Sequence, residues 1–107
     1  EDCSGCASNF TLTVSGLSGE CNLVDCDDRN GDYALAEMGG GFPCIWYGSN
    51  PNGHNAEIRC SGSTWYCYID EGSNCAQFSA PNTTGCPPLT GWTKTGGNCA
   101  GGAISLS

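Results

Sequence analysis

Ten cysteines in a chain of 107 residues constrain the fold more than any other feature of this sequence. A short chain with so many cysteines, in an even number, is typical of a secreted domain held together by disulfides. A reducing cytosol would keep these thiols unpaired, so we expect the protein to work outside the cell or on its surface. The length suits a single cysteine-rich domain over residues 1–107. The cysteines predicted to form disulfides are Cys3, Cys6, Cys21, Cys26, Cys44, Cys60, Cys67, Cys75, Cys86 and Cys99.

The composition indicates that the hydrophobic core is small. Only 38% of the residues are hydrophobic, with cysteine included, and 17 are glycine. Such a core is marginal for a domain of this size, and disulfides offset the shortfall by restricting the unfolded chain. In the chain-entropy model a loop of about 15 residues contributes about 3 kcal/mol. We therefore expect reduction to unfold the protein.

The spacing of the cysteines leaves their pairing open. The first four form a Cys-x-x-Cys motif followed by a Cys-x-x-x-x-Cys motif, which predicts two disulfides among themselves. A four-cysteine zinc site and a labile redox pair are the alternatives. For the other six, closeness along the chain favours neighbouring partners. The predicted bridges are Cys44–Cys60, Cys67–Cys75 and Cys86–Cys99.

The charge balance disfavours two classes of partner. Lysine and arginine total three against eleven acidic residues, which gives a net charge of −8. The basic residues Arg29, Arg59 and Lys94 are scattered and cannot form a phosphate-neutralising stripe. Nucleic acid and anionic membranes are therefore disfavoured as partners. We also expect no membrane insertion, because no apolar stretch is long enough to span a bilayer.

Alternation of apolar and polar residues dominates the chain and predicts strands. Phe10, Leu12 and Val14 alternate with polar residues, and Gly16 and Gly19 are predicted to end this strand. Seven to eight short strands at this spacing predict an all-β fold, a disulfide-stapled antiparallel β-sandwich or small barrel. The further strand-like segments are 33–37, 44–47, 56–60, 64–69, 77–79, 91–94 and 103–106.

Strand-like segments lie close to both ends of the chain. The apolar residues Phe10, Leu12 and Val14 near one end need partners, and so do Ile104 and Leu106 near the other. Such partners come from the same sheet or from a neighbouring copy. We expect these strands to join copies of the protein into an assembly, either head to tail or side by side.

The acidic segment from residue 25 to residue 32 is predicted to be a solvated turn. Calcium binds oxygen-rich loops, so a weak calcium site that uses Asp25, Asp27, Asp28 and Asp32 is the alternative. Arg29 stands where a ligand would be needed, and no glutamate closes the loop. No other cofactor or metal is predicted.

Enzyme signatures are nearly absent from the chain. His54 is the only histidine, and no Gly-x-Ser-x-Gly motif accompanies it as in many serine hydrolases. A metalloprotease would need a second histidine at helical spacing. A glycosidase would need two carboxylates across a cleft, which a domain of this size rarely provides. We therefore predict that the protein is not an enzyme.

Aromatic residues support a binding hypothesis. In a strand, the neighbours Trp46 and Tyr47 must point to opposite faces, and so must Trp65 and Tyr66. Outward aromatic rings on a flat sheet can stack on sugars, and the candidates for this role are Tyr47, Tyr66 and Trp92. In the competing interpretation, the tryptophans fill the core and the tyrosines cover cross-strand neighbours.

Two Asn-x-Thr sequons predict N-glycosylation in a secreted protein. Asn82 follows a proline in a polar loop and is predicted to be the better acceptor. Asn9 lies at the start of a strand, where we expect it to be less accessible.

A series of short motifs runs through the whole chain. It starts with Cys-x-x-Cys and continues with the segment 30–35, Cys-Ile-Trp at 44–46, and a late Gly-Trp followed by Cys-Ala-Gly-Gly. In this order the motifs resemble the cysteine-rich β modules of large uncharacterised secreted proteins of planctomycete-type bacteria and of some phage tail proteins. The resemblance implies a building block of a surface or an appendage.

These observations favour a non-enzymatic extracellular structural module, a repeating subunit of a glycosylated filament, appendage or large surface protein. A carbohydrate-binding or adhesive module that uses the exposed aromatics is the alternative. A small secreted inhibitor or effector that presents the loop 48–54 is the third hypothesis.

Overall fold

The computed structural model describes Cys3, residues 5–39 and residues 42–107, apart from the side chains of residues 42 and 43. Over these residues the fold is all-β, as predicted, with ten strands and two 3-10 turns at Cys26–Arg29 and Glu71–Ser73. No helix in this part of the chain is long and apolar enough to cross a membrane. The strands are β1 (Asn9–Ser18), β2 (Glu20–Cys21), β3 (Val24–Asp25), β4 (Gly31–Gly39), β5 (Phe42–Ser49), β6 (Asn55–Ser61), β7 (Thr64–Ile69), β8 (Ala76–Pro81), β9 (Thr93–Gly96) and β10 (Ala100–Leu106).

Eight of these strands form one antiparallel sheet in the order β10-β1-β4-β5-β6-β7-β8-β9. Its edge strands, β9 and β10, come into contact, so the sheet curls into a small, nearly closed barrel. The barrel is one of the two predicted architectures, and its closure leaves little unpaired strand edge. The hairpin β2–β3 forms a separate two-stranded sheet.

The core fills the barrel interior with alternate residues of the strands. In β7, Trp65, Cys67 and Ile69 are fully buried, while the residues between them are partly exposed. The rings of Trp46 and Trp65 meet edge to face, with their centroids 5.9 Å apart. These two tryptophans supply apolar volume that the few aliphatic residues cannot provide, which agrees with the core interpretation of both.

Two glycines with positive φ angles lie at the same level of β1 and β10. Gly16 and Gly102 have φ angles of +76° and +101°, where a residue with a Cβ atom is strained. A Cβ atom on Gly102 would lie 2.5 Å from the side chain of Leu17, which fills that space. The burial alternation shifts by one residue at Gly16, so that Leu17 is buried and β1 continues to Ser18; the predicted strand end is confirmed at Gly19 and wrong at Gly16.

The barrel has two ends, and two disulfides lie at each. The upper end is where β1 begins and β10 ends, and the lower end is where β1 ends and β10 begins. Every bridge joins one of the first four cysteines to a cysteine at least 41 positions away. The upper bridges are Cys3–Cys44 and Cys6–Cys86, and the lower bridges are Cys21–Cys75 and Cys26–Cys99.

These bridges overturn the predicted pairing. The first four cysteines do not pair with one another, and none of the three bridges predicted among the later cysteines is formed in the described part of the chain. Closeness along the chain failed as a guide because antiparallel strands bring distant positions to the same end of the barrel. Cys67, predicted to bond to Cys75, is instead a thiol buried in the core. Burial raises the pKa of this thiol well above its usual value.

The terminal strands belong to the barrel itself. β1 lies between β10 and β4, with Leu12 opposite Leu106 and Val14 opposite Ile104. These four side chains and that of Phe10 are buried in the protein's own core. They therefore do not offer the assembly contact expected from the sequence, because their apolar faces are already covered.

The seam, the gap between β9 and β10, is closed by two kinds of contact. Near the upper end, the backbone N–H of Leu106 donates to the carbonyl oxygen of Leu89 at 2.8 Å. Toward the lower end, the ammonium group of Lys94 donates to the carbonyl oxygens of Cys99 and Gly101, at 2.7 and 2.9 Å. One lysine thus satisfies two carbonyl groups at the start of an edge strand.

Candidate functional site

Three neighbouring strands place three tyrosines on one outer surface of the barrel. Tyr47 of β5 lies opposite Glu57 of β6, which in turn lies opposite Tyr68 of β7. Tyr66 is two residues before Tyr68, hence on the same side of β7, and lies opposite Arg59. We call the surface formed by Tyr47, Glu57, Arg59, Tyr66 and Tyr68 the aromatic face.

The aromatic face presents rings to the solvent in a fixed arrangement. The rings of Tyr66 and Tyr68 are stacked, with 6.1 Å between centroids and 25° between planes. The guanidinium of Arg59 lies over the Tyr68 ring, 4.3 Å from its centroid, and such a contact contributes about 0.5–1 kcal/mol at an exposed site. Tyr47 is 43% exposed to solvent.

Two carboxylates hold Arg59 in this position. Its Nη1 lies 2.7 Å from Glu57 Oε2, and its Nη2 lies 2.8 Å from Glu71 Oε2. Burial alone would lower the pKa of Arg59, but its contacts with Tyr68, Glu57 and Glu71 raise that pKa above the usual value. The cation is therefore held charged at the centre of the aromatic face.

Two of the three predicted sugar-binding residues lie on the aromatic face. Tyr47 and Tyr66 point outward, as the alternation of their strands predicted. Trp92 lies elsewhere: it packs against the core and donates its indole N–H to the carbonyl oxygen of Pro88 at 2.9 Å. Tyr68 was missed, although the same alternation along β7 places it beside Tyr66.

A buried polar network occupies the lower end of the barrel. Arg29 is only 4% exposed, and its Nε donates to Asp70 Oδ2 at 2.8 Å. His54 Nδ1 lies 2.8 Å from the same oxygen, and the backbone N–H of Asn55 donates to Asp70 Oδ1 at 3.2 Å. Asp70 therefore ties the first 3-10 turn to the β5–β6 loop. Because Arg29 shares the oxygen with His54, the arrangement is that of a structural ion pair.

The loop 48–54, named above for an inhibitor or effector, is anchored by Asn50. This side chain accepts the backbone N–H groups of Asn52 and His54 at 3.1 and 2.9 Å, and it donates to the carbonyl oxygen of Asp28 at 2.9 Å. A loop held in this way is rigid, which an inhibitor would need. The inhibitor hypothesis stays a prediction, and exposure to a panel of proteases, with loop cleavage and inhibition as the two readouts, tests it.

The aspartates of the acidic segment do not converge on one point. Asp25 Oδ1 accepts the backbone N–H of Asp27 at 3.0 Å and caps the first 3-10 turn, whereas Asp32 on β4 accepts the hydroxyl of Thr13 at 2.9 Å. Among the described residues, no three of the four carboxylates lie close enough to share an ion, so the geometry does not favour the calcium alternative. Among the described residues, the potential metal-ligand atoms that do lie close together are the sulfurs of Cys21, Cys75 and Cys99, which belong to the two lower disulfides.

Of the two sequon asparagines, Asn9 is the more exposed, whereas Asn82 was predicted to be. Asn9 is exposed at the start of β1. Asn82 is partly buried: its Oδ1 accepts the backbone N–H of Gly85 at 2.9 Å, and its Nδ2 donates to Cys60 Sγ at 3.3 Å. The prediction that Asn82 is the more accessible acceptor was wrong, because both polar atoms of its side chain are used inside the fold.

Comparison of the chain with protein-family models, with curated proteins and with solved structures found no match. Function must therefore be argued from the geometry of the chain itself. That geometry offers a barrel cross-linked at both ends, with an aromatic face on its outer surface.

Proposed function

We propose that the protein is a non-enzymatic structural module of an extracellular assembly, a repeating subunit of a glycosylated filament, appendage or large surface protein. Four disulfides suit an oxidising environment, and the resemblance to surface and appendage modules points the same way. The observation that supports a load-bearing role is the connectivity of these bridges.

When tension is applied to the two ends of the chain, the disulfides carry it, and most of the barrel is not loaded. The bridge Cys6–Cys86 spans 80 positions, so the residues inside this loop are not extended while the bridge is intact. The shortest covalent path holds only the six residues up to Cys6 and the 22 from Cys86 onward. The bridge Cys26–Cys99 offers a second short path. The load path is therefore duplicated, once at each end of the barrel.

Single-molecule pulling on handles attached to the two ends of the chain tests this role. The oxidised chain should extend by at most about 100 Å, because about 28 residues of about 3.5 Å each lie on the path. The reduced chain should reach about 370 Å. A long extension of the oxidised protein would contradict the load-bearing role.

Variants that lack one or both of these bridges test the duplication. Without Cys6–Cys86, the path through the remaining bridges should allow about 110 Å, since about 31 residues lie on it. Without both Cys6–Cys86 and Cys26–Cys99, the limit should rise to about 190 Å, because about 54 residues then lie on the path. A large extension in a variant that lacks only one of these two bridges would show that the two paths do not substitute for each other.

Electron microscopy of native material, without reduction, tests the assembly itself. Ordered fibres with this chain as the repeating mass would support the proposal, and dispersed particles of 11.0 kDa would contradict it. Contacts between copies must use surfaces other than Phe10, Leu12, Val14, Ile104 and Leu106, which are buried.

The aromatic face favours a second candidate function, a carbohydrate-binding or adhesive module. Sugar rings have apolar faces that stack on flat aromatic groups, and Tyr47 and Tyr66 offer such groups, while Tyr68 stacks with Tyr66 and is covered by Arg59. Arg59 and Glu57 add hydrogen-bonding groups between them.

Titration with soluble oligosaccharides, followed by NMR of the tyrosine side chains, tests this second function. Tryptophan fluorescence is a poor readout, because Trp46 and Trp65 are fully buried. Tyr66→Ala should abolish binding, and Thr13→Ala, an exposed change on β1, should not. Unchanged binding by Tyr66→Ala would rule out the aromatic face as the sugar site.

A further inference from the structure

We infer that Asn9 carries an N-linked glycan whose first N-acetylhexosamine lies in the shallow cleft between β1 and β4. The inference rests on the extracellular part of the proposed function, because N-glycosylation belongs to secreted proteins. It does not depend on load bearing or on filament formation.

The acceptor and the hydroxyl that its sequon requires face the solvent together. Asn9 and Thr11 are both exposed, and as residues i and i+2 of a strand they lie on the same side of β1. Their cross-strand partners on β4 are Ala36 and Ala34, which are exposed as well. Directly opposed residues have Cβ atoms about 4.5–5.5 Å apart, so the small alanines leave free space beside the Asn9 amide.

A cleft of about 290 Å³ lies at this place. Its walls include Asn9, Thr11, Ala34, Ala36 and the last residue, Ser107. The cleft is at the lower limit of the ~300–1,000 Å³ of sites for drug-sized ligands, which suits a single sugar unit. The alanine methyl groups can contact the acetyl methyl of the sugar, and the hydroxyls of Thr11 and Ser107 can form hydrogen bonds with its polar edge.

The chemistry of attachment is a group transfer from a lipid-linked oligosaccharide. Nδ2 of Asn9 forms a bond to C1 of the sugar and loses one proton. The bond between C1 and the oxygen of the lipid diphosphate breaks, and the diphosphate leaves. At Asn82 the nitrogen that would take the sugar lies partly buried against Cys60 Sγ, at 3.3 Å, so the fold leaves less room for a sugar there than at Asn9.

Secretion of the full chain from a eukaryotic host, followed by peptide mapping by mass spectrometry, tests the acceptor. We expect the sugar on the peptide that contains Asn9. Thr11→Val should lose it and Thr11→Ser should keep it, because serine retains the hydroxyl of the sequon. An unmodified Asn9 in folded, secreted protein, or sugar on Asn82 alone, would overturn the inference.

Enzymatic removal of the glycan from the native protein tests its place in the cleft. Ala36→Glu fills the cleft and leaves the sequon intact, so the sugar should lose its contacts there and become more accessible to the enzyme. Native deglycosylation should then be about fivefold faster, the factor that corresponds to the loss of one strong cross-strand contact. Ala103→Glu, at an exposed position of β10, is the matched control and should behave like the wild type. Equal rates for the wild type and Ala36→Glu would overturn the placement, and Ala36→Leu provides a second filler if the glutamate variant is not secreted.

The two proposals fail separately. A Thr11→Val protein without sugar but with the short extension in pulling leaves the load-bearing role in place. A glycosylated Asn9 in a protein that extends fully while oxidised leaves the glycan inference in place and removes the mechanical one.

Discussion

The two ends of the barrel carry the same number of disulfides in different surroundings. At the lower end, Cys21, Cys26 and Cys75 are fully buried and Cys99 nearly so, and the bridges pack against each other. At the upper end, Cys3 and Cys44 are buried as well, but Cys6 and Cys86 are partly exposed. The lower bridges thus act as part of a core, whereas Cys6–Cys86 acts as a tether. Loop length alone does not distinguish them, so any difference in stability between the ends reports packing.

Removing one bridge from each end should give the largest effect and the sharpest test of this comparison. The separations of 80 for Cys6–Cys86 and 73 for Cys26–Cys99 predict nearly equal losses, about 4.5 kcal/mol each in the entropy model. Paired alanine substitutions should cost about 1–2 kcal/mol more at the lower end, where they leave a cavity. Denaturant unfolding measures both, and equal losses would show that burial of the lower bridge adds nothing.

Asp70→Asn should lower the free energy of unfolding by about 3 kcal/mol, because it leaves the buried Arg29 without its counter-charge. Adding Arg29→Met to this variant should restore part of the loss. Glu57→Gln, in the more exposed pair with Arg59, is the control and should cost less than about 1 kcal/mol. Similar losses for the two single variants would remove the distinction between a buried network and a surface pair.

Lys94→Met should cost about 2 kcal/mol, since two carbonyl groups at the seam lose a charged donor. Thermal unfolding measures the loss, and hydrogen exchange at Gly101 and its neighbours locates it. Lys94→Arg keeps a cationic donor and should cost less. If exchange rises instead at Leu106, near the upper end, the seam opens as a single unit.

A pH series examines the barrel interior between the two ends. Burial raises the pKa of the Cys67 thiol, so the folded protein keeps this proton above about pH 8.5, where the unfolded chain loses it. The unfolded state then binds fewer protons, and stability falls by about 1.4 kcal/mol per pH unit above that value. Cys67→Ala should remove this contribution. Parallel pH curves for the two proteins would contradict it.

Leu23→Gly should raise the free energy of unfolding by about 1 kcal/mol. Asn22 and Leu23 form the turn of the lower-end hairpin with φ angles of +56° and +68°, a geometry that favours Asn-Gly. A side chain in this region costs about 1–2 kcal/mol, and Leu23 is 92% exposed. Leu23→Ala keeps the strain and should change little. A loss of stability in the glycine variant would mean that the leucine side chain stabilises the lower end.

The alternation of apolar and polar residues was enough to find the strands of the barrel, because every second residue of such a strand faces the core. It also separated Tyr47 from Trp46 and Tyr66 from Trp65. It could not decide between sandwich and barrel, because closure depends on isolated contacts such as that of Lys94, which leave no pattern.

The pairing of the cysteines and the hairpin β2–β3 escaped prediction for different reasons. Pairing depends on which end of the barrel each cysteine reaches, so Cys21 meets Cys75 across 54 positions. The hairpin turns at Leu23, a residue that seldom forms turns. For the aromatic face, the sequence supplied the outward tyrosines, but the ion pairs of Arg59 became visible only with the register of β6 and β7.

The connectivity of the bridges has a consequence for how the protein is made. During synthesis from the amino terminus, Cys3, Cys6, Cys21 and Cys26 leave the ribosome before any of their partners. An oxidant that acts early would join these four to one another. Such bonds must later be exchanged through attack by a thiolate on the wrong disulfide. Maturation should therefore require a thiol–disulfide isomerase, and an oxidase alone should yield scrambled chains.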